Sequence, residues 1–269
     1  MKLSVLTYNT LFAGQDGDDD RRMTTQVALI DDLAPDIFLM QEASGFDAGG
    51  HARLHAFETR IGMRGFLAVA PRTGQNTAIF IREPLKPISF ESDGANFHHA
   101  LATLTVALPG TERPLTLMSA HLCPNGADIR RREAAHLAVN AGPDRLALLA
   151  GDFNSLSPRD PEPADFADLP PHHRSRYLAD DLVTADRSVI AKLEAAGWVD
   201  VGHRLGASAV PTVPATGFAG TEFATMRCDF VLTTQAMAGG AASYEVVRAP
   251  VTDIASDHYP ILASFEIAS

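Results

Sequence analysis

Residues 145–154 read RLALLAGDFN, a stretch in which an apolar run ends abruptly in polar side chains. Five consecutive apolar residues bounded by polar and turn-forming residues predict a short strand that is buried on both faces. Gly151 follows, and Asp152 and Asn154 come directly after it. A carboxylate and an amide are therefore expected at the edge of the core, where a buried strand ends.

Nine other segments are equally short, rich in Val, Ile, Leu and Phe, and bounded by turn residues. The predicted strands are residues 3–9, 36–42, 65–70, 77–82, 101–108, 115–121, 145–151, 228–233, 244–248 and 260–266. Apolar residues at helical spacing predict helices at residues 24–33, 51–61, 128–140 and 188–196. Many strands with few helices favour two packed sheets covered by helices over a strict βαβ array.

The composition limits what the chain can bind. Its 269 residues contain no low-complexity linker and no internal repeat, so we expect one domain over residues 1–269. The net charge is −11, whereas proteins that hold duplex nucleic acid through its phosphates usually carry a basic surface. This argues against a tight, non-specific nuclease, although a bound metal ion could supply positive charge locally.

The cysteines and the lack of long apolar runs bear on location. Cys123 and Cys228 are too few for a disulfide framework and fit reduced thiols in a cytoplasmic protein. No apolar run approaches the roughly 18 residues that a membrane span needs. The first residues, MKLSVLTYNTLF, have no long apolar core or cleavage site, so we expect a first strand and no signal peptide.

Polar residues stand at the ends of several predicted strands. Asn9, Glu42 and His121 end strands, while Asp257 and His258 directly precede the last one. Taken singly, each has an ordinary interpretation as a turn former, a solvated charge or a packed ring. If these strands share one sandwich, however, their polar ends can meet at a single rim.

Carboxylates that meet in a cleft raise one another's pKa unless a cation lies among them. Glu42, Asp152 and Asp257, together with the amides of Asn9 and Asn154, form a set of hard oxygen donors. Such donors suit Mg²⁺, or Mn²⁺, far better than Zn²⁺. The sequence therefore predicts a magnesium site.

Six short motifs occur in a fixed order: TYN at 7–9, QE at 41–42, AHL at 120–122, GDFN at 151–154, RCDF at 227–230 and SDHYP at 256–260. This ordered set resembles the endonuclease/exonuclease/phosphatase (deoxyribonuclease I-like) superfamily. That group includes pancreatic-type deoxyribonucleases, abasic-site endonucleases, inositol polyphosphate 5-phosphatases and neutral sphingomyelinases. The resemblance implies an α+β fold, a four-layer αββα sandwich of two mixed sheets flanked by helices, with the site at one rim.

The resemblance also implies roles for single residues. Glu42 would be the principal metal carboxylate, with Asn9 and Asp257 as its metal-binding partners. Asp152 would orient or deprotonate the attacking water, and Asn154 would hold that water or a phosphate oxygen.

Further residues would act on the phosphate group. His258, paired with Asp229, would contact the phosphate or transfer a proton, and His121 would donate to a non-bridging oxygen. Asn76 begins the stretch NTAI, which resembles a family segment whose Asn contacts phosphate.

A basic cluster, His172, His173, Arg174 and Arg176, lies within the Pro-rich stretch 155–186. In one interpretation this stretch covers the site and the cluster, His172 and Arg174 included, binds substrate phosphate. In the other the cluster is an exposed polar segment. Loops of this length, here 155–186 and 209–225, are usually functional or mobile.

The sequence thus predicts Mg²⁺-dependent hydrolysis of a phosphoester by a metal-positioned water. The acidic charge favours a small or lipid-like phosphoester as substrate over nucleic acid. Two alternatives stay open, a DNA or RNA nuclease of the same family and a non-catalytic binding module on the same fold. The substrate itself, the number of metal ions and the oligomeric state are not predicted.

Overall fold

The computed structural model describes residues 1–208, 210–220 and 222–267. Its strands are β1 (Lys2–Asn9), β2 (Ile37–Gln41), β3 (Arg64–Ala68), β4 (Thr77–Ile81), β5 (Lys86–Asp93), β6 (Leu101–Ala107), β7 (Leu115–His121), β8 (Leu146–Asp152), β9 (Val199–Asp200), β10 (Asp229–Thr233), β11 (Ala241–Val246) and β12 (Ile261–Glu266). Its α-helices are α1 (Arg21–Leu33), α2 (Ala52–Ile61), α3 (Ala127–Ala138), α4 (Pro171–Arg174), α5 (Ser188–Ala196), α6 (Val201–Arg204), α7 (Gln235–Ala238) and α8 (Thr252–Ala255).

The strands form two mixed six-stranded sheets. One has the order β11-β12-β1-β2-β4-β3 and the other β5-β6-β7-β8-β10-β9. In each sheet one pair is parallel, β1 with β2 and β7 with β8, and the connection contains α1 or α3. Parallel neighbours need such a crossover, and their carboxyl ends lie at the same edge of the sheet.

The sheets pack face to face and the longer helices cover their outer faces. Side chains such as Val5, Leu39, Leu117 and Leu148 are fully buried between the sheets. Outside them, α1 and α2 bury apolar side chains against the first sheet, and α3 and α5 do so against the second. Each buried Leu or Ile contributes about 1.5–3 kcal/mol relative to exposure. The predicted four-layer αββα sandwich is confirmed.

A polar contact also joins the two sheets. Gln41, at the end of β2, donates from Nε2 to Ser119 Oγ on β7 (3.1 Å), and Ser119 Oγ donates to the carbonyl of Met40 (3.2 Å). These groups are buried, so their hydrogen bonds favour one relative placement of β2 and β7. The ends of the two parallel pairs are thereby held at one rim.

Several elements differ from those predicted. The edge strand β5 was not predicted, because Pro87 and its mostly exposed polar residues lack the pattern of a half-buried strand. The two-residue β9 and the four-residue α4, α6, α7 and α8 are too short to show periodicity. Of the predicted loop 209–225, Ala209 and Thr221 lie outside the described residues.

Helix α1 begins at Arg21, three residues before the predicted start at residue 24, and β11 begins three residues before the predicted 244. Both cysteines are buried free thiols. Among the described residues, the helices are all too short or too polar to cross a membrane.

Gly151 is a position where the fold requires glycine. Its φ is +142°, and a Cβ built there would lie 1.9 Å from the carbonyl oxygen of Ala120 on the neighbouring strand. We expect Gly151→Ala to lower the free energy of unfolding by about 2–4 kcal/mol, because β7 and β8 must separate locally. Urea denaturation measures this, with Gly239→Ala as the control, since nothing lies within 4 Å of the added Cβ there. Equal stability of the two variants would contradict this account of the β7–β8 contact.

Candidate active site

The polar strand ends predicted from the sequence meet at one rim of the two sheets. In the second sheet, His121 lies beside Asp152 across the β7–β8 pair, and Asp229 lies opposite Asp152 on β10. Because β1 and β2 pack against β8, the ends of all these strands come together. They line a small cavity of about 130 Å³. Its lining residues are Asn9, Leu11, Phe12, Glu42, Gln75, His121, Pro124, Asp152, Asn154, Arg176, Glu222, Phe223, Asp257 and His258.

The backbone adopts left-handed φ values at four lining residues, Leu11, Phe12, Glu42 and Asn154. Glu42 and Asn154 follow β2 and β8 with left-handed φ values of 60° and 47°. Asn adopts this conformation with little cost, whereas Glu rarely does. Such strain, about 1–3 kcal/mol, is retained mainly at functional sites, where it sets the direction of a side chain.

Asn9 connects the acidic groups of the site. Its Nδ2 donates to Glu42 Oε1 (3.3 Å) and Asp152 Oδ2 (3.2 Å) and lies 3.4 Å from His258 Nε2. Its Oδ1 accepts a hydrogen bond from the Leu11 amide (3.1 Å). In this orientation the Asn9 amide group holds the carboxylates of Glu42 and Asp152, which could bind a cation. The side-chain oxygen of Asn9 is occupied by its hydrogen bond with the backbone.

Asp152 is the buried centre of the site. Its Oδ1 accepts from the Asn154 backbone amide (2.8 Å), and its Oδ2 lies 3.5 Å from His121 Nε2 and 3.6 Å from His258 Nε2. Burial raises the pKa of Asp152 to about 7; Asp229 adds to this rise, and the charge of His258 opposes it. A carboxyl group with such a pKa can hold or release a proton near neutral pH.

His258 and Asp229 form a close pair behind Asp152. His258 Nδ1 lies 2.8 Å from Asp229 Oδ2, and both residues are buried. Burial alone lowers the pKa of His258, but the carboxylates of Asp229 and Asp152 raise it well above its ordinary value. The ring is therefore charged at neutral pH, with Nε2 turned toward Asp152.

His121 differs from His258 in its electrostatics. Burial, followed by His99 and His258, lowers the pKa of His121 well below its ordinary value, so its ring is neutral. The His99 ring stacks on it with centroids 4.1 Å apart, and burial lowers the pKa of His99 to about 3. His121 Nδ1 is buried and has no hydrogen-bond partner among the described residues. Nε2 is the ring atom that faces Asp152.

The donor set at the rim fits a hard divalent cation. Burial raises the pKa of Glu42, and the nearby charge of Asp257 raises it further. The Phe12 amide donates to Glu42 Oε2 (2.9 Å), and this hydrogen bond lowers the pKa in part. A cation between these oxygens would remove the repulsion and stabilise the charged carboxylate. Oxygen donors of this kind suit Mg²⁺ or Mn²⁺.

A second group of side chains of the kinds that bind metal ions is fully buried beside the site. Cys228 Sγ, an Asp229 oxygen and a His258 ring nitrogen lie within 4.8 Å of one another. Burial raises the pKa of Cys228 well above its ordinary value, which keeps the thiol protonated. Asp229 Oδ2 is already engaged by His258 Nδ1 and by the thiol. The three side chains therefore bind one another, and Asp229 orients the ring of His258.

Three residues predicted to bind substrate lie away from the cavity. Asn76 is buried, donates to Ala43 O and Asp47 Oδ1 and accepts from the Ala70 amide, while its neighbour Gln75 lines the cavity. Of the basic cluster, His172 and Arg174 are outside the cavity lining; Arg174 donates to the carbonyl of Ala167 (3.0 Å). Only Arg176 from this cluster reaches the cavity.

Several residues of the site lie outside the set predicted from the sequence. Phe12, Gln75, Glu222 and Phe223 line the cavity, and His99 supports His121 from behind. None of them belongs to one of the six motifs. The TYN motif is the one feature of the sequence that could have indicated Phe12, because only two residues separate them.

Arg227, in the RCDF motif, has a structural position. Its buried guanidinium donates to Asp160 Oδ2 (2.8 Å) and Asp200 Oδ2 (2.7 Å) and lies 4.3 Å from the Phe230 ring centre. It thus ties the 155–186 loop to β9 and β10.

We expect Arg227→Met to lower the free energy of unfolding by about 3–5 kcal/mol, because it leaves two carboxylates without their buried partner. The control is Arg159→Met, which removes a half-exposed guanidinium paired with Glu194 and should cost under about 1 kcal/mol. Guanidinium chloride denaturation of both variants measures the difference. A loss of less than 1 kcal/mol for Arg227→Met would contradict a structural role.

Comparisons with known proteins agree with this geometry. The chain is similar in structure to an endonuclease/exonuclease/phosphatase from Bacteroides vulgatus (TM-score 0.70, 16% identity, 100% of each chain). It is also similar to an AP endonuclease from Archaeoglobus fulgidus (0.67, 18%, 98% of this chain and 100% of that one). A third similar structure is D. rerio TDP2 complexed with single strand DNA product (0.64, 18%, 99% of each).

At these identities the structural likeness shows the fold alone. No curated protein sequence matches the chain significantly. The model of the Endonuclease/Exonuclease/phosphatase family matches residues 6–258, which include the second sheet, the first sheet apart from β12 and the start of β1, and every residue of the rim. The chain therefore belongs to the endonuclease/exonuclease/phosphatase family.

Proposed function

We propose that this protein is a Mg²⁺-dependent phosphoesterase that hydrolyses a small phosphoester at the rim of its two sheets. The observation that carries this proposal is the convergence of Glu42, Asp152, Asp257 and the Asp229–His258 pair on one cavity. Burying carboxylates costs the fold stability, and clusters of such groups beside a charged histidine occur mainly where a protein binds a ligand or carries out a reaction.

Glu42 and Asp257 would hold the cation, with Asn9 and Asp152 beside them. When bound, Mg²⁺ (or Mn²⁺) supplies positive charge to the phosphate oxygens and so reduces the barrier to attack by water. Asn9 keeps the two carboxylates Glu42 and Asp152 in place through its amide.

Asp152 and Asn154 would act on the attacking water. Asp152 has a pKa near neutrality, and its carboxylate is oriented by the Asn154 backbone amide at Oδ1 and by the Asn9 side chain at Oδ2. It can therefore accept a proton from water. The Asn154 side chain donates to the carbonyl of Leu122 (3.1 Å), which fixes the amide at the cavity wall. Together they can orient a water molecule for in-line attack on phosphorus.

The two histidines would stabilise the charge that develops on the phosphate. Charged His258, oriented by Asp229, can donate from Nε2 to a phosphate oxygen or protonate the leaving group. Neutral His121 can donate a weaker hydrogen bond from Nε2 to a non-bridging oxygen. The opposite shifts in pKa of these rings support different roles for them.

The dimensions and charge of the site support a small substrate. The cavity is about 130 Å³, and Glu222 adds a fourth carboxylate to its lining. With a net charge of −11, the chain offers little attraction to the backbone of a nucleic acid. A nuclease activity is the second candidate, favoured by the likeness to TDP2 with a DNA product.

A substrate panel tests the proposal. The protein is incubated with Mg²⁺ or Mn²⁺ and with mono- and bis-nitrophenyl phosphate, inositol phosphates, sphingomyelin, plasmid DNA and RNA. We expect hydrolysis of a small phosphoester that EDTA abolishes. Cleavage of nucleic acid alone, at low salt, would establish the second candidate, and binding of metal without any turnover would indicate a non-catalytic module.

The two free, buried thiols fit a reducing compartment such as the cytoplasm. The family match over residues 6–258 supports a single catalytic domain that includes both sheets.

A further inference from the structure

One wall of the cavity is built by two long loops. Arg176 comes from the loop of residues 155–186, and Glu222 and Phe223 come from the loop of residues 209–225. Arg176 is the single Arg or Lys among the described residues that line the cavity. An anionic substrate that enters this acidic site therefore meets one cationic side chain that does not belong to the metal-binding rim.

Arg176 is held firmly in this wall. Its Nε donates to the carbonyl of Pro124 (3.1 Å), a cavity residue that follows β7. The buried Arg130 donates from Nη2 to the carbonyl of Arg176 (2.8 Å) and from Nη1 to that of Cys123 (3.0 Å). Backbone and side chain of Arg176 are thus both tied to the end of the strand that carries His121.

Glu222 pairs with this guanidinium from the opposite loop. Arg176 Nη1 donates to Glu222 Oε2, and the same oxygen lies 3.8 Å from His173 Nδ1. The next residue, Phe223, is buried with its ring edge-on to His258, with ring centres 5.3 Å apart. The Glu222 side chain itself is 40% exposed, against 17% for Arg176. Arg176 is therefore the fixed member of the pair, and Glu222 is the one that can turn out into water.

We propose that Arg176 binds the phosphate group of the substrate and that Glu222 occupies this guanidinium until an anion displaces it. This inference rests on the proposed function and specifies its substrate. Carboxylate and phosphate oxygens compete for the same guanidinium N–H groups. A phosphodiester brings one negative charge in exchange for that of Glu222, whereas a phosphomonoester brings close to two. The guanidinium therefore favours a phosphomonoester, or a terminal phosphate, over an internal phosphodiester, whereas competition from Glu222 lowers the affinity for both anions by the same factor.

Phosphate binding tests this selection without any turnover. Calorimetry in the presence of Mg²⁺ compares inorganic phosphate with dimethyl phosphate, a monoanion with the geometry of a diester. We expect Arg176→Gln to weaken phosphate binding at least about tenfold. Glu222→Gln should tighten phosphate binding about two- to fivefold. It should have no effect in the Arg176→Gln background. The loss of affinity caused by Arg176→Gln should be smaller for dimethyl phosphate, because this anion carries a single charge.

The matched control is the Arg131–Asp180 pair, which joins α3 to the 155–186 loop outside the cavity (3.0 Å). Arg131→Gln and Asp180→Asn change the same charges and should leave phosphate affinity unchanged. Equal shifts in this pair, or an unchanged or weaker affinity in Glu222→Gln, would overturn the inference. Glu222 is exposed enough that its variant keeps the fold, so the test does not depend on the Arg176 variant alone.

The inference and the proposed function can fail separately. Phosphate binding that depends on Arg176 and Glu222, without hydrolysis of any panel substrate, supports the inference and contradicts the phosphoesterase. Metal-dependent hydrolysis with phosphate affinity indifferent to both residues supports the phosphoesterase and overturns the inference.

Discussion

Asp152→Asn should reduce kcat for the preferred panel substrate about a thousandfold and leave Mg²⁺ affinity within about threefold of the wild-type value. The expected size of the effect follows from the loss of a positioned proton acceptor, because such a group typically accelerates a reaction about 10²–10⁴-fold. Metal affinity changes less because Glu42 and Asp257 stay in place. Initial rates under saturating Mg²⁺, together with metal titration by calorimetry, measure the two quantities.

The same variant should be no less stable than the wild type. Burial raises the pKa of Asp152 to about 7, above its unfolded value, so its charged form opposes folding at neutral pH and this cost falls as pH decreases toward 4. Asn is neutral and of equal size, and it removes that cost. Asp31→Asn, an exposed change on α1, is the control for rate and stability. A variant that keeps kcat within tenfold, or loses metal and activity together, would contradict the role of Asp152 on the water.

Glu42→Gln should abolish tight Mg²⁺ binding and, with it, activity at low Mg²⁺ concentration. Loss of an outer partner of a metal site costs about 10–100-fold in affinity, and loss of a charged ligand should exceed that range. The change keeps the shape of the side chain and the bond from the Phe12 amide to one of its oxygens. Calorimetric titration with Mg²⁺ gives the affinity, and activity against Mg²⁺ concentration shows whether excess metal restores turnover.

Glu91→Gln, an exposed change on β5, controls for the loss of one negative charge. Because burial raises the pKa of Glu42, the Gln variant should also be at least as stable as the wild type without metal. Wild-type Mg²⁺ affinity in Glu42→Gln would show that the cation binds elsewhere.

The sequence predicted the parts of the site that are attached to buried strands. Asn9, Glu42, His121 and Asp152 each follow an apolar run, and a buried strand can direct its last side chain only to the rim of the sheet. Their meeting point then follows from two parallel pairs packed face to face. Local sequence and fold agree here, so the strand ends could be predicted well.

The sequence could not predict the parts contributed by loops. Arg176 and Glu222 are 46 positions apart, and their contact depends on the paths of two long loops that carry no periodic pattern. His172 and Arg174 belong to the same basic cluster as Arg176, but α4 turns them away from the cavity. Asn76 also lies away from the cavity, because its amide ties the loop before β4 to Ala43 and Asp47, which follow β2. The local sequence does not determine whether these side chains point into the cavity or away from it.

The most direct test of the account is the dependence of hydrolysis on Mg²⁺ in protein stripped of metal with EDTA. Mg²⁺ is titrated back while the rate on the preferred panel substrate is followed, for the wild type and for Glu42→Gln in parallel. The account predicts no activity before the addition, full recovery in the wild type, and recovery in Glu42→Gln only at far higher Mg²⁺ concentration. Hydrolysis that survives EDTA, or the same Mg²⁺ dependence in both proteins, would contradict it.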